Sequence, residues 1–98
     1  MLIEMKFQSP KGTRDFLPEE MITRQKVLDV VRKNFELFGF QPLETPAIES
    51  WEVLSAKGAG GSEILKETYN FEDLGKRRIG LRYDLTVPLA RVVADNPS

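Results

Sequence analysis

Residues Met21 to Phe38 carry the feature that most limits what this chain can become. Leu28, Val31, Phe35 and Phe38 recur at helical spacing and share one face, and Met21, Ile22, Val27 and Val30 widen the stripe. The spacing predicts a long helix over 21–38. Pro18 suits its first turn, where a missing N–H costs nothing, and Glu19 and Glu20 suit the positive end of its dipole. Gly39 suits the stop as the residue just past the end. Pro42 and Pro46 then exclude both a helix and a central strand over Phe40–Pro46, leaving an edge strand or an extended arm.

The rest reads as shorter elements. Residues 1–8 suggest an arm or short strand. Trp51, Val53 and Leu54 suit a brief helix, and Lys57 to Glu63 a glycine-rich loop. Ile64–Asp73, with Tyr69 and Phe71 alternating, and Arg78–Tyr83 read as two antiparallel strands around a turn at Leu74–Arg77. A last helix is expected from near Thr86 to about Ala94. The expected fold class is α+β, an antiparallel sheet with flanking helices, in a single domain over residues 1–98. The chain stops just after that helix, which reads as a truncation.

Composition narrows the chemistry. The chain has neither Cys nor His, so disulfides, thiolates and the commonest general base and metal ligand are excluded, though carboxylates could still hold Mg²⁺. Lys and Arg number 14 against 15 Asp and Glu, a net charge of -1 that argues against a dedicated nucleic-acid clamp. The start is too short and too charged for a signal peptide, and no apolar run approaches a membrane span, so a cytoplasmic protein without membrane contact is expected.

The stretch Leu81 to Arg91 is the most informative. Read as a strand, it turns Arg82, Asp84 and Thr86 to one face and Leu81, Tyr83 and Leu85 to the other. A guanidinium, a carboxylate and a hydroxyl then meet at a strand end beside a helix start. A carboxylate there suits an ammonium group, and a hydroxyl adds a further donor or acceptor. The plainer alternative stands beside it: Asp84 or Thr86 caps the following helix, with Pro88 in its first turn, and Arg82 pairs with Asp84.

Four blocks occur in order: Lys11-Gly12-Thr13-Arg14-Asp15-Phe16-Leu17-Pro18, Gly39 through Pro46, Thr68-Tyr69-Asn70-Phe71-Glu72-Asp73, and Leu81 through Arg91. Together they resemble histidyl-tRNA synthetases, a class II aminoacyl-tRNA synthetase family, over about Lys11 to Ala94. The Arg-Tyr-Asp-Leu-Thr-Val-Pro wording is similar to the archaeal and eukaryotic branch. The resemblance implies an N-terminal part of the catalytic domain. The long helix and the proline-bearing arm would form motif 1 and a homodimer interface, with Phe38, Phe40, Pro42, Pro46 and Glu49 as its residues. Asp84 would grip the α-ammonium of substrate histidine, with Leu85 and Thr86 lining the same pocket. Motifs 2 and 3, the histidine-specific loop and the anticodon-binding domain would lie downstream. The resemblance thus implies no catalytic residue and no metal ligand within these residues. The complete enzyme would use ATP and Mg²⁺ and charge tRNA(His) through segments not present here. None of these would bind well to this piece, which alone would not aminoacylate.

Other signals have plain readings. Gly58 to Ser62 lacks the pattern of a phosphate loop and reads as a flexible loop or a lid. Lys76-Arg77-Arg78 reads as a solvated hairpin tip or a phosphate contact. Trp51 could stack on a base, but burial against the sheet is commoner. Phe35, Phe38 and Phe40 suit a core or a dimer contact. Two rival functions share the fold features: a histidine-binding regulatory subunit of ATP phosphoribosyltransferase, against which Tyr83 speaks, and a stand-alone interaction module.

Overall fold

The computed structural model describes residues 7–56, 59 and 61–98. Most of the expected N-terminal arm, and Lys57, Gly58 and Gly60 of the expected loop, lie outside the described residues. The chain divides after Pro42 into two compact units.

In the first unit, helix α1 spans Pro18–Leu37, with Pro18 opening it and Glu19 and Glu20 in its first turn. Its end is a complete Schellman closure. Gly39 adopts φ +89°, its N–H donates to Glu36 O at 3.0 Å, and Phe40 N–H donates to Phe35 O at 3.1 Å. The rings of Phe35 and Phe40 meet edge to face at 5.5 Å, adding the apolar contact that accompanies this motif. No residue of α1 is buried. Leu28 and Val31, on the predicted stripe, are 45% and 44% exposed, and Phe38 is 82% exposed. Ahead of the helix, the guanidinium groups of Arg14 and Arg24 lie 4.0 and 4.3 Å from the Phe16 ring centre, and Arg14 pairs with Glu20 at 3.0 Å.

The second unit contains β1 (Ile48–Ser50), α2 (Trp51–Leu54), α3 (Ser62–Glu67), β2 (Asn70–Glu72), β3 (Arg78–Leu81) and α4 (Thr86–Asp95). The three strands form an antiparallel sheet in the order β1-β3-β2. Glu49, Gly80 and Asn70 lie opposite one another in the ladders and so share a face. Leu54 of α2 and Pro88 of α4 are fully buried in this unit. Gly80 lets α2 approach the sheet: a Cβ there would stand 2.9 Å from Tyr69 O and 3.1 Å from Leu54 Cδ1. Trp51 is half-buried over the same glycine, as the packing alternative expects. Ile48, Phe71 and Leu81, on the other face, are exposed.

The fold is α+β, as expected, but three element boundaries differ. The strand expected over Ile64–Asp73 is a helix followed by a strand. Glu63, Leu65, Lys66 and Glu67 are good helix formers, and the Thr68 hydroxyl donates to Ile64 O at 2.6 Å and closes α3. Alternation begins only after it. Of the two forms open to Phe40–Pro46, the edge strand is not formed and the unpaired arm remains; pairing starts at Ile48, in an unexpected strand too short to show a period. The second hairpin strand stops at Leu81, two residues short of the expected end. Arg82, Asp84 and Thr86 therefore do not share a strand face.

Candidate functional site

A cleft of about 480 Å³ opens where the end of α3 faces the end of β3. It is lined by Ile64, Glu67, Thr68, Tyr69, Leu81, Arg82, Tyr83 and Asp84. The backbone ties its two walls together, Leu81 N–H donating to Tyr69 O at 2.9 Å. Tyr69 is 76% exposed. On the opposite wall the Tyr83 hydroxyl donates to Leu54 O at 2.8 Å. Burial, and then the nearby Asp84 charge, raise the Tyr83 phenol above its ordinary value, so it stays a neutral donor.

Asp84 reaches the cleft from the turn before α4. Its Oδ1 accepts the Val87 N–H at 3.1 Å, covering a donor that the first turn of the helix leaves free. The helix-cap alternative is therefore real, and it occupies one carboxylate oxygen. Oδ2 has no partner among the described residues. The structure separates the three expected substrate residues. Asp84 lines this cleft. Leu85 lines a second one of about 260 Å³, with Leu43, Glu44, Thr45, Arg82 and Leu89. Thr86 begins α4, is exposed, and lines neither. The shared strand face is lost because β3 ends at Leu81 and the backbone bends at Tyr83 and Leu85 before α4 begins at Thr86.

Arg82 does not pair with Asp84. Its Nη1 donates to Thr45 O at 2.8 Å, Thr45 Oγ1 at 3.0 Å and Pro46 O at 3.2 Å. Glu67, Thr68 and Tyr69 are cleft residues that the strand reading passed over, although Thr68 and Tyr69 open one of the four recognisable blocks.

The expected interface residues also divide. Phe38, Phe40, Pro42 and Pro46 are exposed. Glu49 is 7% exposed, with Oε1 2.7 Å from Arg91 Nε of α4. The Nε–H is not aimed at that oxygen, so the contact is a charge pair more than a hydrogen bond. Glu49, and then Asp95, raise the Arg91 value above the ordinary one and keep it charged. Glu49 thus faces inward because β1 turns alternate side chains to α4, and its carboxylate is paired with Arg91 within the unit. Among the described residues, no three acidic, His or Cys side chains gather at a common point that could hold a metal.

The comparisons with known proteins converge. The sequence model of the family described as Histidyl-tRNA synthetase matches residues 12–98. The chain is 50% identical to Histidine--tRNA ligase 1 of Bacillus cereus over 94 residues, which is 96% of this chain and 22% of that protein. It superimposes on the crystal structure of histidyl-tRNA synthetase from Nostoc sp. with a TM-score of 0.76 at 39% identity, covering 94% of this chain and 20% of that one. A structure titled ATP phosphoribosyltransferase regulatory subunit/histidyl-tRNA synthetase, from Bacillus halodurans, gives 0.75 at 31% identity, covering 92% and 23%. These proteins are bacterial, and the chain spans about a fifth of the length of each. A match that runs almost from end to end, with half the positions identical to a relative, means that this chain belongs to the histidyl-tRNA synthetase family.

Proposed function

We propose that the protein carrying this chain is a histidine–tRNA ligase, which joins the histidine carboxylate to the α-phosphate of ATP with release of pyrophosphate and passes the histidyl group from that adenylate to tRNA(His) with release of AMP. Within it, these residues are the N-terminal part of the class II catalytic domain. Residues 12–98 supply the amino-acid grip and the motif 1 arm. Handling of ATP and tRNA belongs to segments that the relatives carry outside the matched fifth. The observation that carries the reading is the Asp84 carboxylate at the cleft mouth, with one oxygen fixed by Val87 and the other open to an ammonium group. Glu67, Thr68 and Tyr69 complete the wall. Leu85 and Thr86 remain in the proposal as neighbours that act from the first turn of α4.

The family implies ATP as a substrate and Mg²⁺ beside it. The described residues do not by themselves fit a divalent cation. A homodimer formed through α1 and the arm, with Phe38, Phe40, Pro42, Pro46 and the neighbourhood of the buried Glu49 as its interface, belongs to the same proposal. So does a cytoplasmic location; among the described residues no helix is long and apolar enough to cross a membrane. The Arg-Tyr-Asp-Leu-Thr-Val-Pro wording is, on this reading, of the archaeal and eukaryotic kind within a chain that has bacterial relatives. The regulatory-subunit alternative shares the fold but is less supported, since the curated relative that matches half the positions is named a ligase.

Titration of the chain with L-histidine, followed by amide shifts of residues 68–69 and 84–87, tests the grip. Saturable shifts are expected, and Asp84→Asn should weaken them by roughly tenfold, the scale of a charge-assisted hydrogen bond. An unresponsive spectrum, or an Asp84→Asn chain that binds as well as the parent, rejects it. The chain alone should show no histidine-dependent ATP–pyrophosphate exchange.

A further inference from the structure

We infer that Arg82 is a positioning residue for the amino-acid cleft: through it, the arm at Thr45–Pro46 sets where Asp84 stands. The inference rests on the amino-acid reading of the cleft and deepens it. The ladder between β1 and β3 ends at Ile48 opposite Leu81. Beyond that point the two segments would be free to splay, because each continues as irregular backbone. Arg82 prevents this twice. Its N–H donates to Ala47 O at 2.9 Å. Its Nη1 is shared among the Thr45 carbonyl, the Thr45 hydroxyl and the Pro46 carbonyl, at 2.8, 3.0 and 3.2 Å. Arg82 is half-buried and lines both clefts, one carrying Asp84 and the other carrying Thr45. Two residues further along the chain is Asp84, whose carboxylate is fixed at one oxygen only. Its approach to a ligand therefore depends on the backbone that Arg82 holds.

Thr45 separates positioning from direct contact, because it does not line the amino-acid cleft. Its side chain meets the lining of that cleft through Arg82, whose Nη1 donates to its hydroxyl. The experiment is a double-mutant cycle on the full chain, read as the affinity for L-histidine by amide shift titration. Arg82→Gln should weaken binding about tenfold, since it removes a charged donor from three acceptors. Thr45→Val, which removes one acceptor, should weaken it about threefold. Thr45→Val should have no further effect in the Arg82→Gln chain. Arg82→Lys, which keeps a charged donor near the same carbonyls, should recover part of the loss. If Arg82→Gln does not fold, Thr45→Val and Arg82→Lys still decide, each expected between the parent and no binding. Parent-like affinity in both, or equal effects of Thr45→Val with and without Arg82, overturns the positioning role while the amino-acid reading stands. A parent chain that gives no histidine response overturns the amino-acid reading itself, and the positioning role with it.

Discussion

Gly80 is the residue on which the second unit's packing turns. It stands in the central strand, where glycine normally weakens a sheet, yet a Cβ would come within 2.9 Å of the Tyr69 carbonyl oxygen. Backbone cannot yield as a flexible side chain does, and the buried Leu54 fills the space above. Gly80→Ala is expected to destabilise the chain by about 1–3 kcal/mol, the usual cost of overpacking. In thermal unfolding this should appear as a melting temperature lower by at least several degrees. An unchanged melting curve would mean that α2 does not rest on β3 as described. Other decisive residues left no local trace in the sequence. Glu49 and Arg91 pair across 42 positions, and Arg82 and Thr45 across 37. No periodicity or turn signal links partners so distant, so the sequence offered Glu49 only as an interface residue and Arg82 only as a neighbour of Asp84. Asp84 was legible in part: its capping reading came from its place before a helix, and the structure shows the cap, whereas its ligand reading leaned on a strand alternation that stops at Leu81.

Elements whose physics is local could be read from the chain; those set by contacts elsewhere could not. Helix α1 announced itself by period, by Pro18 and by Gly39, and its closure follows those signals almost residue by residue. Helix α3 was missed because Tyr69 and Phe71 alternate just beyond it, and that pattern was extended too far back. Strand β1 was missed because three residues are too few for alternation to register. The turn between β2 and β3 was legible, and its chemistry makes a prediction. Asp73 Oδ1 accepts the N–H groups of Gly75 and Arg77, both at 2.9 Å, and Oδ2 meets Arg77 Nε at 2.8 Å. The Arg77 backbone N–H, and then its guanidinium, hold the carboxyl below its ordinary value of 3.8. A depressed folded value stabilises above the unfolded value and loses that contribution as pH falls through the folded one. The parent should therefore be more stable than Asp73→Asn at neutral pH, and the difference should shrink once pH drops below 3.8. Denaturant melts of both chains between neutral and acidic pH measure it; a difference independent of pH would show that the charge contributes nothing to the turn.

At the scale of the whole molecule, the apolar side chains outnumber what covers them. Helix α1 buries none of its stripe, and among the described residues Leu54 is the buried hydrophobic of the core. Ile48, Phe71 and Leu81 on the sheet remain exposed as well. Large contiguous apolar patches on soluble proteins mark surfaces that meet another chain or another part of the same protein. The proposed homodimer supplies one such cover for α1 and the arm, and it can be tested without knowing any ligand. Sedimentation equilibrium of the chain should show self-association at micromolar to millimolar concentration. Phe38→Glu is the discriminating variant. Phe38 follows the last turn of α1 and is 82% exposed, so the charge meets water in a single chain and should leave the helix signal in circular dichroism nearly unchanged. In a dimer the same charge would be taken out of water without a partner, at a cost of several kcal/mol. The expected result is a variant as helical as the parent and monomeric where the parent associates. A parent that stays monomeric throughout, or a variant that associates equally well, removes Phe38 and the arm from the interface.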